Sequence, residues 1–542
     1  MPGTLMPRLT PWVDKKHNCR QPRRIPTRAQ TSCLPTRTLA VVIAHLFFYA
    51  GTAIGAPSWS FTTLLAFNGV NGAEPNMSLA QGFDGDLYGT TGGGGANCSS
   101  GGGCGTVFKV TSAGTLTTLY SFCAQTDCVD GNGPTGELAL AANGDFYGTT
   151  VSGGAHSGGT VFKITPSGTL TTLYSFCAKH KNGHCADGDS PVGGLVRADD
   201  GTFYGVTSGG GVNCECGTVF KITPGGALTT LHSFDRTDGN YPTGGLALGT
   251  SGNLLGVTGD GGGGANCKSQ DGCGTVFKIT PSGTLTTLYN FCSQTNCTDG
   301  GKPQAGLVQA ASGNFYGTTI IGGTNCAPAG GCGTVFKVTP TGTLTTLYSF
   351  CSQTGQYNCS DGSSPYAALV QGTDGNFYGT TVEGGSSSNC GSNGCGTVFK
   401  ITPSGRLTTL RSFDGTDGTK PFGGLLQATD GNFYGATSNG GDFSCPSDPS
   451  FGCGTIFRVS AGLGPFVSLL PYSGKVATVA YVLGTNLTGA TNVTFNGTLA
   501  AFTFVSKTEV KTAVPSGATT GFVTITTPSG TLKSNIKFHV TP

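Results

Sequence analysis

Charge is scarce in this chain: only 10% of its residues are Asp, Glu, Lys or Arg. Beyond the first 38 residues no basic stretch with interleaved aromatics occurs, which excludes a nucleic-acid partner. Histidine is also sparse, with 7 in 542 residues. There is no His-Glu-x-x-His, no Gly-x-Ser-x-Gly at a strand-to-helix turn and no phosphate loop. No set of four Cys or His residues stands at zinc spacing, so neither a metal nor any other cofactor is expected.

What is abundant is glycine, at 94 residues. The glycines recur at fixed offsets from Phe, Tyr, Leu and Val, the pattern of tight turns between short strands. The amino-terminal 56 residues stand apart. Arg8, Lys15, Lys16, Arg20, Arg23, Arg24, Arg28 and Arg37 precede an apolar, small-residue stretch from Leu39 to Ala56. A basic flank, an apolar core and the small residues Ala53, Gly55 and Ala56 predict a secretory signal ending near Ala56. Membrane contact is expected only if that leader stays attached, and the remainder is mildly acidic.

Of 22 cysteines, Cys19 and Cys33 lie in the leader. The others form ten local pairs: Cys98/Cys104, Cys123/Cys128, Cys177/Cys185, Cys214/Cys216, Cys267/Cys273, Cys292/Cys297, Cys326/Cys332, Cys351/Cys359, Cys390/Cys395 and Cys445/Cys453. Repeats that lack one member lack both, as at His156 and between Asp235 and Tyr241, which disulfides explain and independent thiols do not. The pairs place the chain in an oxidising compartment: secreted, periplasmic or at the cell surface.

Three phrases recur seven times each. One is Phe-Tyr-Gly-Thr-Thr or a variant, with its second residue at Tyr88, Tyr147, Tyr204, Leu255, Tyr316, Tyr378 and Tyr434. Another is Gly-Thr-Val-Phe-Lys, from Gly105 to the variant at Gly454, and the third is Leu-Thr-Thr-Leu-x-x-Phe. With a fourth apolar run they make four-stranded antiparallel units of about 57 residues. Seven such units predict a seven-bladed β-propeller over residues 57–462. The lone strand at Phe61 to Phe67 and the unit that stops after Gly454 to Val459 complete one another, so the two ends are expected to close the ring. The short turns then share a plain face, and the long links with their cysteines share a decorated one.

From Leu463 to the end cysteine vanishes, and Val, Thr, Phe and Ile strands predict an immunoglobulin-like β-sandwich over 463–542. Its phrases Leu470-Pro471-Tyr472-Ser473-Gly474, Gly484-Thr485-Asn486-Leu487-Thr488-Gly489-Ala490 and Val514-Pro515-Ser516-Gly517 resemble an IPT/TIG domain. The repeats, on Asn376-Phe377-Tyr378-Gly379-Thr380-Thr381 and Gly396-Thr397-Val398-Phe399-Lys400, resemble the Gloeobacter/Verrucomicrobia-type tandem repeat (GloVer). That resemblance implies a bacterial exported protein and no particular activity.

The seven Tyr/Leu positions read as core rather than as a sugar-stacking ring, and the recurring Asp-Gly pairs as turns rather than calcium ligands. The one cluster that holds histidines, Lys179, His180, Lys181 and His184, lies within the Cys177/Cys185 loop on the decorated face and is the candidate binding group. No catalytic residue is expected. The favoured function is therefore non-catalytic binding or adhesion through the stapled loops, with a glycan or another surface protein as partner. A carbohydrate-active enzyme, hydrolase or lyase, working in the channel is the alternative and would need paired carboxylates; Glu137 is the nearest candidate. A structural envelope component is the third reading, and no oligomeric state follows from the residues.

Overall fold

The computed structural model describes residues 59–97, 104–249, 251–325, 332–355, 358–442, 445 and 451–542. The expected leader lies outside them. All of the extended structure is β, apart from three short 3-10 turns among the described residues.

Seven antiparallel sheets of four or five strands cover the repeat region. The first holds Ala80–Gln81, Leu87–Thr91, Thr106–Val110 and Leu116–Ser121. Five more follow over residues 132–175, 189–233, 240–290, 308–349 and 370–412. The seventh joins both ends of the region: Leu426–Gln427, Phe433–Thr437 and Thr455–Ser460 are completed by Ser60–Ala66. In that closing ladder Ser60 faces Ser460 and Ala66 faces Thr455.

Burial follows strand position. The Leu-Tyr-Gly-Thr-Thr strand at 87–91 is buried throughout, the Thr-Val-Phe-Lys-Val strand beside it exposes only its lysine, and the outer Leu-Thr-Thr-Leu strand is half exposed. Both faces of each sheet are therefore packed, which requires a neighbour on either side. Seven apolar clusters supply the neighbours, each shared by two consecutive sheets. Tyr88, Phe122 and Phe162 belong to the one between the first and second sheets. The last joins Tyr434 and Ile456 of the seventh to Phe108 and Val110 of the first. The sheets thus form a closed, propeller-like ring, and each fully buried Phe contributes on the order of 2 kcal/mol.

Details of the repeat have physical causes. The tyrosine of one sheet stacks on the phenylalanine of the next, as Tyr88 on Phe146 at 4.2 Å and Tyr378 on Phe433 at 4.0 Å. The tyrosine positions are core, with Tyr378 at 0% exposure and Leu255 at 3%. Two threonines share a buried hydrogen bond in every sheet, 2.8 Å for Thr150 and Thr160. Gly131 sits against that pair with φ +108°; a Cβ there would lie 2.6 Å from Thr150 Oγ1. The Asp-Gly glycine therefore has both a steric and a conformational reason.

The aspartates of those turns are buried acceptors. Asp299 accepts the Tyr289 hydroxyl at 2.8 Å and the Ser293 and Gln294 backbone N–H groups. In two links without cysteines another side chain takes the tyrosine's place on the aspartate: His232 Nε2 lies 2.6 Å from Asp238, and Arg411 Nε 2.7 Å from Asp417. Disulfides join Cys123–Cys128, Cys177–Cys185, Cys214–Cys216, Cys267–Cys273, Cys292–Cys297, Cys351–Cys359, Cys390–Cys395 and Cys445–Cys453. Cys104 and Cys332 are also disulfide-bonded; positions 98 and 326 lie outside the described residues.

The tail forms two sheets. One holds Ser468–Leu470, Val479–Leu483, Glu509–Ala513 and Phe502–Ser506; the other is built on Gly530–Val540, Gly521–Thr527 and Asn492–Phe495. Leu469, Val482 and Val510 from the first pack on Val493, Ile525 and Phe538 from the second. The tail rests on short turns between first and second strands. Thr508 donates to Phe83 O at 2.8 Å, Phe466 N–H to Thr429 O at 3.0 Å, and Ser473 Oγ to Asp199.

Candidate functional site

The innermost strands leave a cavity of roughly 800 Å³, lined from all seven sheets and, toward the tail, by Phe466, Leu470, Pro471 and Tyr472. Each innermost segment carries a proline, within or just ahead of its strand: Pro75, Pro134, Pro191, Pro242, Pro303, Pro365 and Pro421. Backbones approach closely beyond it. A Cβ at Gly244 would stand 2.1 Å from Gly306 N, and one at Gly136 would stand 2.4 Å from Gly193 O. Small residues there are a condition of closing the ring.

The third position after each proline holds Ser78, Glu137, Gly194, Gly245, Gly306, Ala368 and Gly424. Six are Gly, Ala or Ser, and the seventh is a glutamate. Glu137 lines the cavity beside Gly194, whose added Cβ would lie 3.0 Å from its own. Its side chain is exposed toward the cavity yet ringed by protein, and desolvation by that surrounding protein raises its carboxyl to about 7. Nearby, enclosure and the Glu137 charge push the Tyr472 hydroxyl up, against the opposing effects of Ser468 and Arg197. Burial lowers the Arg197 guanidinium while Asp199 and Asp200 oppose the shift. Glu137, the nearest candidate acid of the sequence analysis, is thus an isolated acid on an innermost segment, between the strands Asn132–Pro134 and Ala139–Leu140; aligning the segments on their prolines is the signal that singles it out.

At the other end, the residue before each proline is left-handed in all seven strands: Glu74, Gly133, Ser190, Tyr241, Lys302, Ser364 and Lys420, with φ between +53° and +64°. Their N–H groups bond a neighbouring link, as Tyr241 to Cys216 O at 3.0 Å and Lys302 to Cys273 O at 2.8 Å. A stapled link therefore holds the rim of the mouth. One position after the proline stand Asn76, Thr135, Val192, Thr243, Gln304, Tyr366 and Phe422, all lining the cavity. Tyr366 and Phe422 meet edge to face at 5.1 Å, and Tyr241 is 48% exposed. These aromatics are not among the binding residues expected above, because none sits in a motif.

The expected binding group lies elsewhere. His180–Lys181 and His184–Cys185 form a small hairpin turned by Asn182 and Gly183, at φ +55° and +84°. Lys179, His180 and Lys181 are exposed, and His184 Nδ1 lies 3.4 Å from Glu215 Oε1 of the adjacent loop. His180 Nε2 is 3.8 Å from Cys177 Sγ, but that sulfur is bonded to Cys185. None of the four lines the cavity.

A ring of antiparallel sheets, buried on both faces around an axial cavity, defines a propeller-like repeat protein. The chain belongs to the Gloeobacter/Verrucomicrobia repeat family, whose profile matches residues 55–268 and 263–504. No curated protein sequence matches it. Among solved structures it is similar to a putative oxidoreductase (glucose dehydrogenase) from Thermus thermophilus, at 16% identity and TM-score 0.36 over 60% of this chain and 96% of that one. It is also similar to a PQQ-bound aldose sugar dehydrogenase from Streptomyces coelicolor, at 15% and 0.37 over 60% and 93%. A gluconolactonase from Xanthomonas campestris follows at 12% and 0.34 over 74% and 89%.

Proposed function

We propose that this is an exported bacterial binding protein: a seven-bladed β-propeller over 57–462, an immunoglobulin-like tail of IPT/TIG type over 463–542, and a leader, 1–56, removed on secretion. Ligand is taken on the decorated face, by the stapled loops and the channel mouth they frame, without turnover. The observation that carries this reading is the arrangement at the two ends of the cavity. Tail residues line one end, while the other is rimmed by seven left-handed positions, six of them bearing side chains where glycine would be less strained. Variable side chains on a rigid frame are the usual basis of recognition. The disulfides support an oxidising compartment, and with it a secreted or surface location.

The enzyme reading draws support from Glu137, a carboxyl poised near neutrality in an enclosed site. A glycosidase needs a second carboxylate across the substrate. The other acid lining the cavity, Asp199, is hydrogen-bonded to Ser473 at the tail end.

The test is an array of glycans, cell-wall fragments and surface proteins probed with the mature chain, each hit then assayed for product release. Retention without turnover, weakened by changes to Tyr241 or to the 177–185 loop, supports the reading. Turnover, or a ligand indifferent to every decorated-face change, rejects it.

A further inference from the structure

We propose that the open mouth of the channel binds the end of a neutral carbohydrate chain, its sugar rings stacked on Tyr241, Tyr366 and Phe422 and its terminal hydroxyls reaching the Glu137 carboxyl. This rests on the reading that ligand enters from the decorated face. The ring is built sevenfold, but its lining is one-sided. At the position after each proline, Gln304, Tyr366, Phe422 and Asn76 come from four consecutive sheets, the fifth through to the first, while Thr135, Val192 and Thr243 occupy the rest of the circle; Tyr241 stands two residues before Thr243 on the fourth sheet. Aromatic faces beside planar amides suit a ligand that is apolar on its C–H faces and hydroxylated at its edges.

Tyr241 is the most telling residue. It holds φ +58° and leaves half its surface in solvent, although Gly133 fills the equivalent position in the second sheet. A left-handed tyrosine that keeps half its surface in solvent costs the fold backbone strain that its partial burial only partly offsets. Two of the three charges of the rim are already engaged: Lys302 pairs with Asp260 at 2.9 Å, and Lys420 lies 5.6 Å from the Phe451 ring, while the third, Glu74, is exposed. An anionic ligand would have to compete with these partners and would meet the Glu74 carboxylate, whereas a neutral one would not. Deeper in, Glu137 is the single long polar side chain at a level where the other six sheets present Gly, Ala or Ser. Its exposed side chain lines the axial cavity, and hydroxyls can reach it from there.

The experiment titrates the full mature chain, by calorimetry, with soluble neutral oligosaccharides of the cello, xylo, malto, chito and galacto series. At least one series binds, and Tyr241→Gly and Phe422→Ala each weaken it about tenfold, whereas Lys507→Ala in the tail leaves it unchanged. Tyr241→Gly relieves the left-handed strain, so it keeps the fold and separates a binding role from a structural one. No binding by any series at millimolar concentration, or full affinity in both mouth variants, overturns the proposal. A peptide or anionic polymer that binds and is lost in Tyr241→Gly overturns the carbohydrate assignment and keeps the decorated-face reading. A ligand that survives both Tyr241→Gly and replacement of the 177–185 loop overturns both.

Discussion

Phe61 and Val459 are partners across the ladder that joins the first described strand to the last strand of the repeat region. The same Phe61 ring stacks on Phe457 at 5.4 Å and meets Phe413 edge to face at 5.7 Å, with the Arg411 guanidinium 5.0 Å from its centre. Residues nearly 400 positions apart therefore share one sheet and one aromatic cluster.

Closure by so few residues makes the ring sensitive there. Phe61→Ala should cost about 2 to 3 kcal/mol, less than a fully buried Phe because the ring is only part-buried. Urea titration followed by far-UV circular dichroism reads this as a lower midpoint. Removal of residues 59–66 should do more: it bares the Thr455–Ser460 edge, and self-association in ultracentrifugation is the expected result. A truncated chain that stays monomeric with an unchanged midpoint would contradict closure by this strand.

The axis gives a second prediction. Gly244 has an ordinary negative-φ backbone, yet a Cβ there would sit within 2.1 Å of the Gly306 backbone nitrogen. Backbone cannot rotate away as a side chain can, so Gly244→Ala should destabilise by about 3 kcal/mol. Gly252, where an added Cβ meets nothing within 4 Å but φ is +78°, should lose only about 1 kcal/mol on the same substitution. Comparable losses at both would mean that the innermost strands are farther apart than described.

The period, the four strands of a unit and the exchange of strands between the two ends are legible in the sequence because each rests on short-range patterns repeated seven times. Tyr88 and its equivalents read as core for the same reason. The site is far less legible. Glu137 and Tyr241 matter through their place on a shared axis, which depends on the radius and closure of the ring rather than on neighbouring residues. The Lys179 to His184 cluster shows the converse: it is conspicuous in sequence, yet it folds into an exposed hairpin off the channel. The replacement of tyrosine by His232 and Arg411 is readable only once their aspartate partners, Asp238 and Asp417, are placed.

Disulfide reduction should separate the decorated face from the ring. The described bridges span 2 to 8 residues in sequence, as in Cys214–Cys216 and Cys445–Cys453, and none connects two strands of a core ladder. Each short loop contributes about 2 kcal/mol through restriction of the unfolded chain, while the sheets are held by ladders and shared clusters. Reduced protein should therefore keep its β signal by circular dichroism and gain protease cleavage within the links, mapped by mass spectrometry. Under denaturing, non-reducing conditions the mature chain should show no titratable thiol. Appreciable free thiol, or collapse of the β signal on reduction alone, would contradict this.

The pH dependence isolates Glu137. Its carboxyl is raised by enclosure from the ordinary 4.5 to about 7, so the folded state holds its proton more tightly than the unfolded chain does. The stability this group contributes is complete below about pH 4.5 and is lost as pH rises toward and through 7, the opposite of a salt-bridged carboxylate. The side chain is exposed to the cavity, and solvent screening there limits the loss to the order of 1 kcal/mol. Glu137→Gln keeps the shape and removes the titration. Urea midpoints measured between about pH 5 and 8 should fall for the natural protein and lack that increment in the variant, with the two curves separating most at the alkaline end. Parallel curves would show that the carboxyl is solvated like a surface group, and the axial cavity would then be far wetter than its lining implies.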